Sequence, residues 1–171
     1  MNYDARKLFF AGFIATVVQT AFLYCASLFR LPSVDVAGAL GMMMTPSSFP
    51  LYPHPSWMMG LAIHFFLGSL FFPLCYGLLL GGRLKLQRPA MCGLAWGLIL
   101  YCAGQFIVMP LLGMTEYFLT HPYAIAMYLA GHIAYGLLFG AIAGISMFAN
   151  FIPRTRARHR RLVKPDLAAV R

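Results

Sequence analysis

The amino-acid sequence predicts an all-α integral membrane protein, a bundle of four membrane-spanning helices. Of its 171 residues, 61% are hydrophobic and only 10% are charged, whereas a soluble domain carries about 25% charged residues. A soluble domain of this length could not bury so much apolar surface. The apolar residues are also concentrated in four long segments. Together these observations argue against a soluble enzyme and exclude disorder for most of the chain.

Each apolar segment is long enough to cross a bilayer, which takes about 20 residues in a helix. None of the four contains Asp, Glu, Lys or Arg, and none alternates as a barrel strand would. The predicted spans 1 to 4 cover about residues 8–29, 57–80, 90–112 and 124–149. Residues 1–152 would therefore form the bundle, and residues 153–171 a basic tail. Span 1 is longer than the apolar core of a signal peptide, so we expect it to be retained.

The basic residues predict the orientation of the chain. Arg6 and Lys7 precede span 1, three more lie between spans 2 and 3, and seven follow span 4. The other two loops hold only Arg30. Because positive residues stay on the cytoplasmic side, both termini should be cytoplasmic. We expect a multi-pass protein of the bacterial inner membrane.

The tail carries most of the net charge of +9. Next to a membrane helix, such a cluster favours contact with anionic lipid headgroups or with a partner protein. A basic patch can also indicate nucleic acid, but its position beside span 4 makes that interpretation unattractive. The predicted contact residues are Arg154, Arg156, Arg158, Arg160, Arg161 and Lys164.

The two halves of the chain resemble each other, which indicates an internal repeat. The sequence YCASLF at 24–29 matches YCAGQF at 101–106, and a His-Pro pair precedes spans 2 and 4. Each half then has a histidine four residues before a glycine, at His64 and at His132. Since each half holds two spans, the repeat would be parallel, with a pseudo-two-fold axis along the membrane normal.

Each span carries small and polar residues four positions apart, and such residues share a helix face. In lipid these faces should meet in the bundle interior, because small residues and interhelical hydrogen bonds drive helix association. His64, His132, Tyr101 and Gln105 would then form a polar layer in the outer half of the bundle. The stripes are Gly12, Thr16, Thr20 and Tyr24; Gly60, His64 and Gly68; Gly93, Gly97, Tyr101 and Gln105; His132, Gly136, Gly140 and Gly144.

Three interpretations of this layer are open. Neutral histidines can simply hydrogen-bond to Gln, Tyr, Thr or backbone groups across helices. Alternatively, His64 and His132 are the axial ligands of a b-type haem, with the glycines opposite making room for the macrocycle. A quinone or another small apolar ligand, held at its polar end by His and Gln, is the third interpretation. The first implies that no cofactor binds.

The first outer loop, residues 30–56, is rich in Met, His and Pro. Thioether and imidazole groups suit copper(I), but their spacing here matches no ordered site, so we predict no metal site. Residues 34–43 could form a short interfacial helix that ends before a series of prolines. Asp35 is the acid available to pair with Arg30 in this loop.

Two short motifs resemble those of uncharacterised small bacterial inner-membrane proteins of the YagU-like kind. They are Pro32-Ser33-Val34-Asp35 after span 1 and His132-Ile133-Ala134-Tyr135-Gly136 in span 4. The resemblance covers most of the chain. It implies a four-helix membrane architecture and no established chemistry, so it assigns no functional residue.

The sequence shows no catalytic constellation, because its four acids lie outside the spans and no nucleophile adjoins a base. We therefore predict a non-catalytic accessory or assembly subunit of a larger membrane protein complex, of the respiratory or electron-transport kind. Its partners would be other membrane subunits and anionic lipids. The alternative is a small redox protein that binds haem b or quinone through His64 and His132. The third hypothesis is a small-solute transporter.

Overall fold

The computed structural model describes residues 5–45, 48–80 and 88–149. All regular structure in these ranges is helical, and four helices are long and apolar enough to cross a membrane. The chain is therefore a multi-pass membrane protein with an all-α bundle fold, which confirms the predicted fold class. The six basic tail residues from Arg154 to Lys164 lie outside the described ranges, so their contacts with lipid or a partner stay predictions.

The observed helices begin and end within three residues of the predicted spans. Spans 2, 3 and 4 each begin at a proline, which suits the first helical position because its missing N–H has no partner there. Spans 2 and 3 each contain a π-helical turn. The bounds are Ala5–Leu28 for span 1; Pro55–Phe66, Leu67–Phe71 (π) and Phe72–Leu80 for span 2; Pro89–Ala103, Gly104–Val108 (π) and Met109–Leu111 for span 3; and Pro122–Ala149 for span 4. Two short helices, Val36–Gly41 and Thr115–Thr120, lie in the loops after spans 1 and 3.

Spans 3 and 4 approach each other along two facing rows of glycine. A methyl group on Gly93 would collide with the carbonyl oxygen of Gly136, and one on Gly136 would collide with that of Gly93. Gly97 and Gly140 extend the same seam. Glycine is needed here because its neighbour across the interface is backbone, which cannot turn aside as a side chain can.

Span 1 lies between spans 2 and 4 and packs closely on both. Gly12 contacts Pro73 and the backbone of Gly68, and Gly68 in turn contacts the side chain of Thr16. Spans 2 and 3 are not among the closely packed pairs. A symmetric parallel repeat would make the interface of spans 2 and 3 resemble that of spans 4 and 1. The two halves of the chain therefore resemble each other in sequence but do not pack as a symmetric bundle.

The helix expected in the first outer loop is present but lies in a different environment. It covers Val36–Gly41, and all six of its residues are buried. It packs on span 2 at Gly60, where a methyl group would collide with the carbonyl oxygen of Ala37. The expectation of an interfacial helix was wrong because the VAGALG sequence has no polar face to present to water or headgroups.

Asp35 holds this helix, called the loop helix below, to the bundle. Its carboxylate accepts hydrogen bonds from Tyr24 Oη at 2.7 Å, from Trp57 Nε1 at 2.8 Å and from the backbone N–H of Gly38 at 2.9 Å. It thus caps the loop helix and joins spans 1 and 2. The expected pairing of Asp35 with Arg30 was wrong, because all the hydrogen bonds of the Asp35 carboxylate in the described structure come from these three donors.

Candidate functional site

The polar layer lies between two apolar clusters. One cluster, beside the loop helix, includes Leu40, Met109 and Tyr128, and the other, toward the opposite end of the bundle, includes Tyr76, Trp96 and Phe139. The aromatic rings of the second cluster pack edge to face, with centroids 5.0 Å apart for Tyr76 and Phe139. Polar side chains at this level cannot hydrogen-bond to lipid tails, so any partners they have must lie inside the bundle.

The two histidines of this layer are held by spans 1 and 4. His64 Nε2 lies 3.1 Å from Thr20 Oγ1. His132 Nδ1 lies 3.0 Å from the carbonyl oxygen of Tyr128 and 3.3 Å from Gln19 Nε2. These are the cross-helix and backbone hydrogen bonds that the simplest interpretation of the layer predicts. Neither ring bonds to the other.

Both histidines line one cavity of about 90 Å³. All four spans contribute to its wall, and the loop helix closes one side through Val36 and Leu40. The polar contributors are Gln19, His64, His132, Tyr128 and Tyr135. The structure therefore brings His64 and His132 to one cavity without a symmetric arrangement of the two halves.

Tyr101 and Gln105 do not line this cavity. The Tyr101 ring packs on the His132 ring, with centroids 6.0 Å apart. It therefore contacts a residue of the site without lining the cavity. Gln105 is half-buried, and its Oε1 has no hydrogen-bond partner. The expected stripe misplaced it because each step of four residues overshoots a full helical turn by about 40°. Gly104, one residue earlier, lines the cavity instead.

Gln19 and Tyr135 belong to the site but were missed in the sequence. Gln19 lies seven residues after Gly12, which is almost two full helical turns. Its side chain therefore points within about 20° of the direction of Gly12, whereas Thr20 points about 80° away from that direction. It is 4% exposed. One signal could have found it: Gln19 is the single amide in span 1, and a polar side chain inside a span normally faces the protein interior.

The π-helical turns flank the cavity, and prolines account for both. Phe72 donates its N–H to Leu67, five residues back, and Met109 donates to Gly104 in the same way. Each donor is followed directly by a proline, Pro73 or Pro110. Proline has no N–H and its ring crowds the preceding turn. In span 2 the carbonyl oxygen of Gly68 accepts instead from Tyr135 Oη, at 2.7 Å.

Replacing Tyr135 with phenylalanine should therefore lower the free energy of unfolding by about 0.6–1.7 kcal/mol, the range for hydrogen bonds between membrane helices. The loss arises because the Gly68 carbonyl is left without a donor inside the bundle. Reversible unfolding in detergent micelles measures it. Tyr123→Phe is the control, since that side chain is 73% exposed and should change stability little. Equal effects of the two variants would contradict this role of Tyr135.

The cavity does not fit a haem. Typical ligand sites occupy about 300–1,000 Å³, and this one has about 90 Å³. The space beside the glycines that could have made room for a macrocycle is occupied by the backbone of the adjacent span. At Gly97, for example, a methyl group would collide with the carbonyl oxygen of His132. No group of three or more His, Cys, Asp or Glu that could hold a metal ion occurs among the described residues.

Comparison with known proteins identifies one family. A family described as of unknown function, DUF6789, matches residues 4–150. The matched range includes all four spans and both outer loops. No curated protein and no solved structure matches the chain.

Proposed function

The chain belongs to the family of unknown function DUF6789, and we propose that it is a non-catalytic accessory or assembly subunit of a larger membrane protein complex. The observation that carries this proposal is an apolar surface on the first outer loop. Phe29, Leu51 and Tyr52 are 79%, 69% and 70% exposed. Leu31, Met43, Met44 and Phe49 are exposed beside them in sequence.

These side chains differ from the exposed apolar residues of the spans, which a bilayer covers. They lie between the end of span 1 at Leu28 and the start of span 2 at Pro55. A set of exposed apolar side chains outside the spans marks a surface that another protein or the membrane interface covers. We propose that it docks a partner subunit. The cytoplasmic tail, residues 153–171, is the second proposed docking element.

The proposed location is the bacterial inner membrane, with both termini in the cytoplasm. The distribution of basic residues supports this orientation through the positive-inside rule. It would place the apolar loop surface and the loop helix on the outer side. A relationship to YagU-like proteins is part of the same proposal and rests on the two short motifs described above.

Purification of the tagged chain from native membranes in mild detergent, followed by mass spectrometry, tests the proposal. We expect stoichiometric co-eluting subunits, and redox proteins among them would assign the partner to electron transport. Leu51→Ala should reduce their yield. Leu78→Ala is the matched control, because Leu78 is 84% exposed but lies inside span 2. A chain that elutes alone, or only with copies of itself, would overturn the proposal.

A further inference from the structure

The cavity in the polar layer is lined by buried residues except on the side formed by spans 2 and 3. Its lining residues from span 1, span 4 and the loop helix are all buried. The partly exposed ones come from spans 2 and 3 alone, and they are His64, Leu67, Phe72, Ala103 and Val108. The backbones of these two spans do not pack closely, although the Tyr76 and Trp96 rings meet with centroids 5.8 Å apart. The side of the cavity that faces the bilayer is therefore the one between spans 2 and 3.

His64, which lines the cavity, has one ring nitrogen without a hydrogen-bond partner among the described residues. Thr20 Oγ1 donates its one proton to the carbonyl oxygen of Thr16, at 2.7 Å. His64 Nε2, 3.1 Å from the same Thr20 oxygen, must then be the donor of that second bond. A neutral imidazole has one N–H and one lone pair. The lone pair of His64 is thus on Nδ1, for which the described structure has no hydrogen-bond partner.

His132 also lines the cavity with one ring nitrogen unbonded in the described structure. Its Nδ1 lies 3.0 Å from the carbonyl oxygen of Tyr128, and a carbonyl oxygen only accepts, so Nδ1 carries the proton. The lone pair is then on Nε2, again without a partner among the described residues. Gln19 Nε2 lies 3.3 Å from His132 Nδ1, and two N–H groups cannot bond to each other. With the proton on Nδ1, the Gln19 amide must be turned so that Oε1 accepts from Nδ1 and the NH2 group is left for the cavity. The polar wall therefore presents two imidazole acceptors and one amide end.

We propose that this cavity binds the hydroxyl end of a lipid-soluble alcohol, whose apolar chain passes between spans 2 and 3 into the bilayer. A hydroxyl group donates to an imidazole nitrogen and has lone pairs to accept from an amide, so it matches this wall. A ketone or quinone carbonyl only accepts and would face the two lone pairs. The volume of about 90 Å³ is below the 150 Å³ of an apolar cavity that holds benzene, which favours a chain end over a ring.

Photolabelling in membranes that contain the full-length chain tests the proposal. The probe is a twelve-carbon primary alcohol with a diazirine near its hydroxyl end, and mass spectrometry locates the labelled residues. We expect labels on cavity residues of spans 2 and 3, such as Leu67 and Ala103. Excess 1-dodecanol should reduce this labelling, and dodecyl methyl ether, which lacks a donor, should compete about tenfold less well, the worth of a typical hydrogen bond.

Variants separate the proposed contact from general packing. His132→Phe should lose most of the competable labelling, while His121→Phe should keep it, because His121 is an exposed loop residue. Ala103 is partly exposed between spans 2 and 3, so Ala103→Phe narrows the space there and leaves the polar wall unchanged. This variant should also lose most of the competable labelling. Equal competition by the alcohol and the ether would overturn the proposal. So would labels confined to outward-facing residues, which would mean that the cavity holds only water.

Discussion

Replacing Asp35 with alanine is expected to lower the free energy of unfolding by about 2–5 kcal/mol, because a charged acceptor is removed from three donors. Tyr24 Oη and Trp57 Nε1 would keep their desolvated positions without a partner, and Gly38 would lose its cap. The loop helix should then detach from spans 1 and 2. Thermal or denaturant unfolding in detergent micelles, followed by tryptophan fluorescence, measures both the stability and the environment of Trp57.

Two comparisons make this result specific. Glu116→Ala removes an exposed acid from the other short outer helix and should change stability by less than about 0.5 kcal/mol. Trp57→Phe alone should lower the free energy of unfolding. In the Asp35→Ala background it should lower that free energy by less, because both changes remove the same hydrogen bond. If Asp35→Ala and Glu116→Ala lower stability equally, Asp35 does not join the loop helix to the bundle.

Replacing Gly136 with alanine is the second large change, with an expected loss of about 1–3 kcal/mol through overpacking. The new methyl group would collide with the carbonyl oxygen of Gly93 and lie 3.0 Å from Gly97 Cα. Both contacts are backbone, so spans 3 and 4 must separate to relieve them. Leucine at this position should prevent the native packing altogether.

Gly131→Ala is the control on the same helix, and its expected sign is opposite. A methyl group there would lie 3.4 Å from the end of the Leu23 side chain, which is ordinary contact with a group that can adjust. Alanine also favours a helix over glycine by up to about 1 kcal/mol. Unfolding of the two variants under identical conditions compares them directly. Equal stability of Gly131→Ala and Gly136→Ala would show that spans 3 and 4 are not closely packed along the glycine seam.

The exact face of each helix was predicted less well than its extent. A stripe drawn at intervals of four holds in span 4 from His132 to Gly144, where a methyl group on Gly144 would still collide with Pro89 of span 3. In span 3 it fails at Gln105, which lies three steps after Gly93, because each step of four drifts by about 40° from the same face. Gln19 was overlooked for the same reason, since it lies on the face of Gly12 at an interval of seven.

Local composition by itself determined the membrane class, the four spans and the level of the polar layer. These depend on apolar length and on which residue types cannot face lipid, both of which can be read along the chain. Tertiary structure alone decided that the backbones of spans 2 and 3 do not pack closely, that Asp35 bonds to Tyr24 and Trp57, and that Gln19 meets His132. Those outcomes depend on which backbones approach closely enough to exclude a side chain, a property of pairs of helices that no single segment encodes.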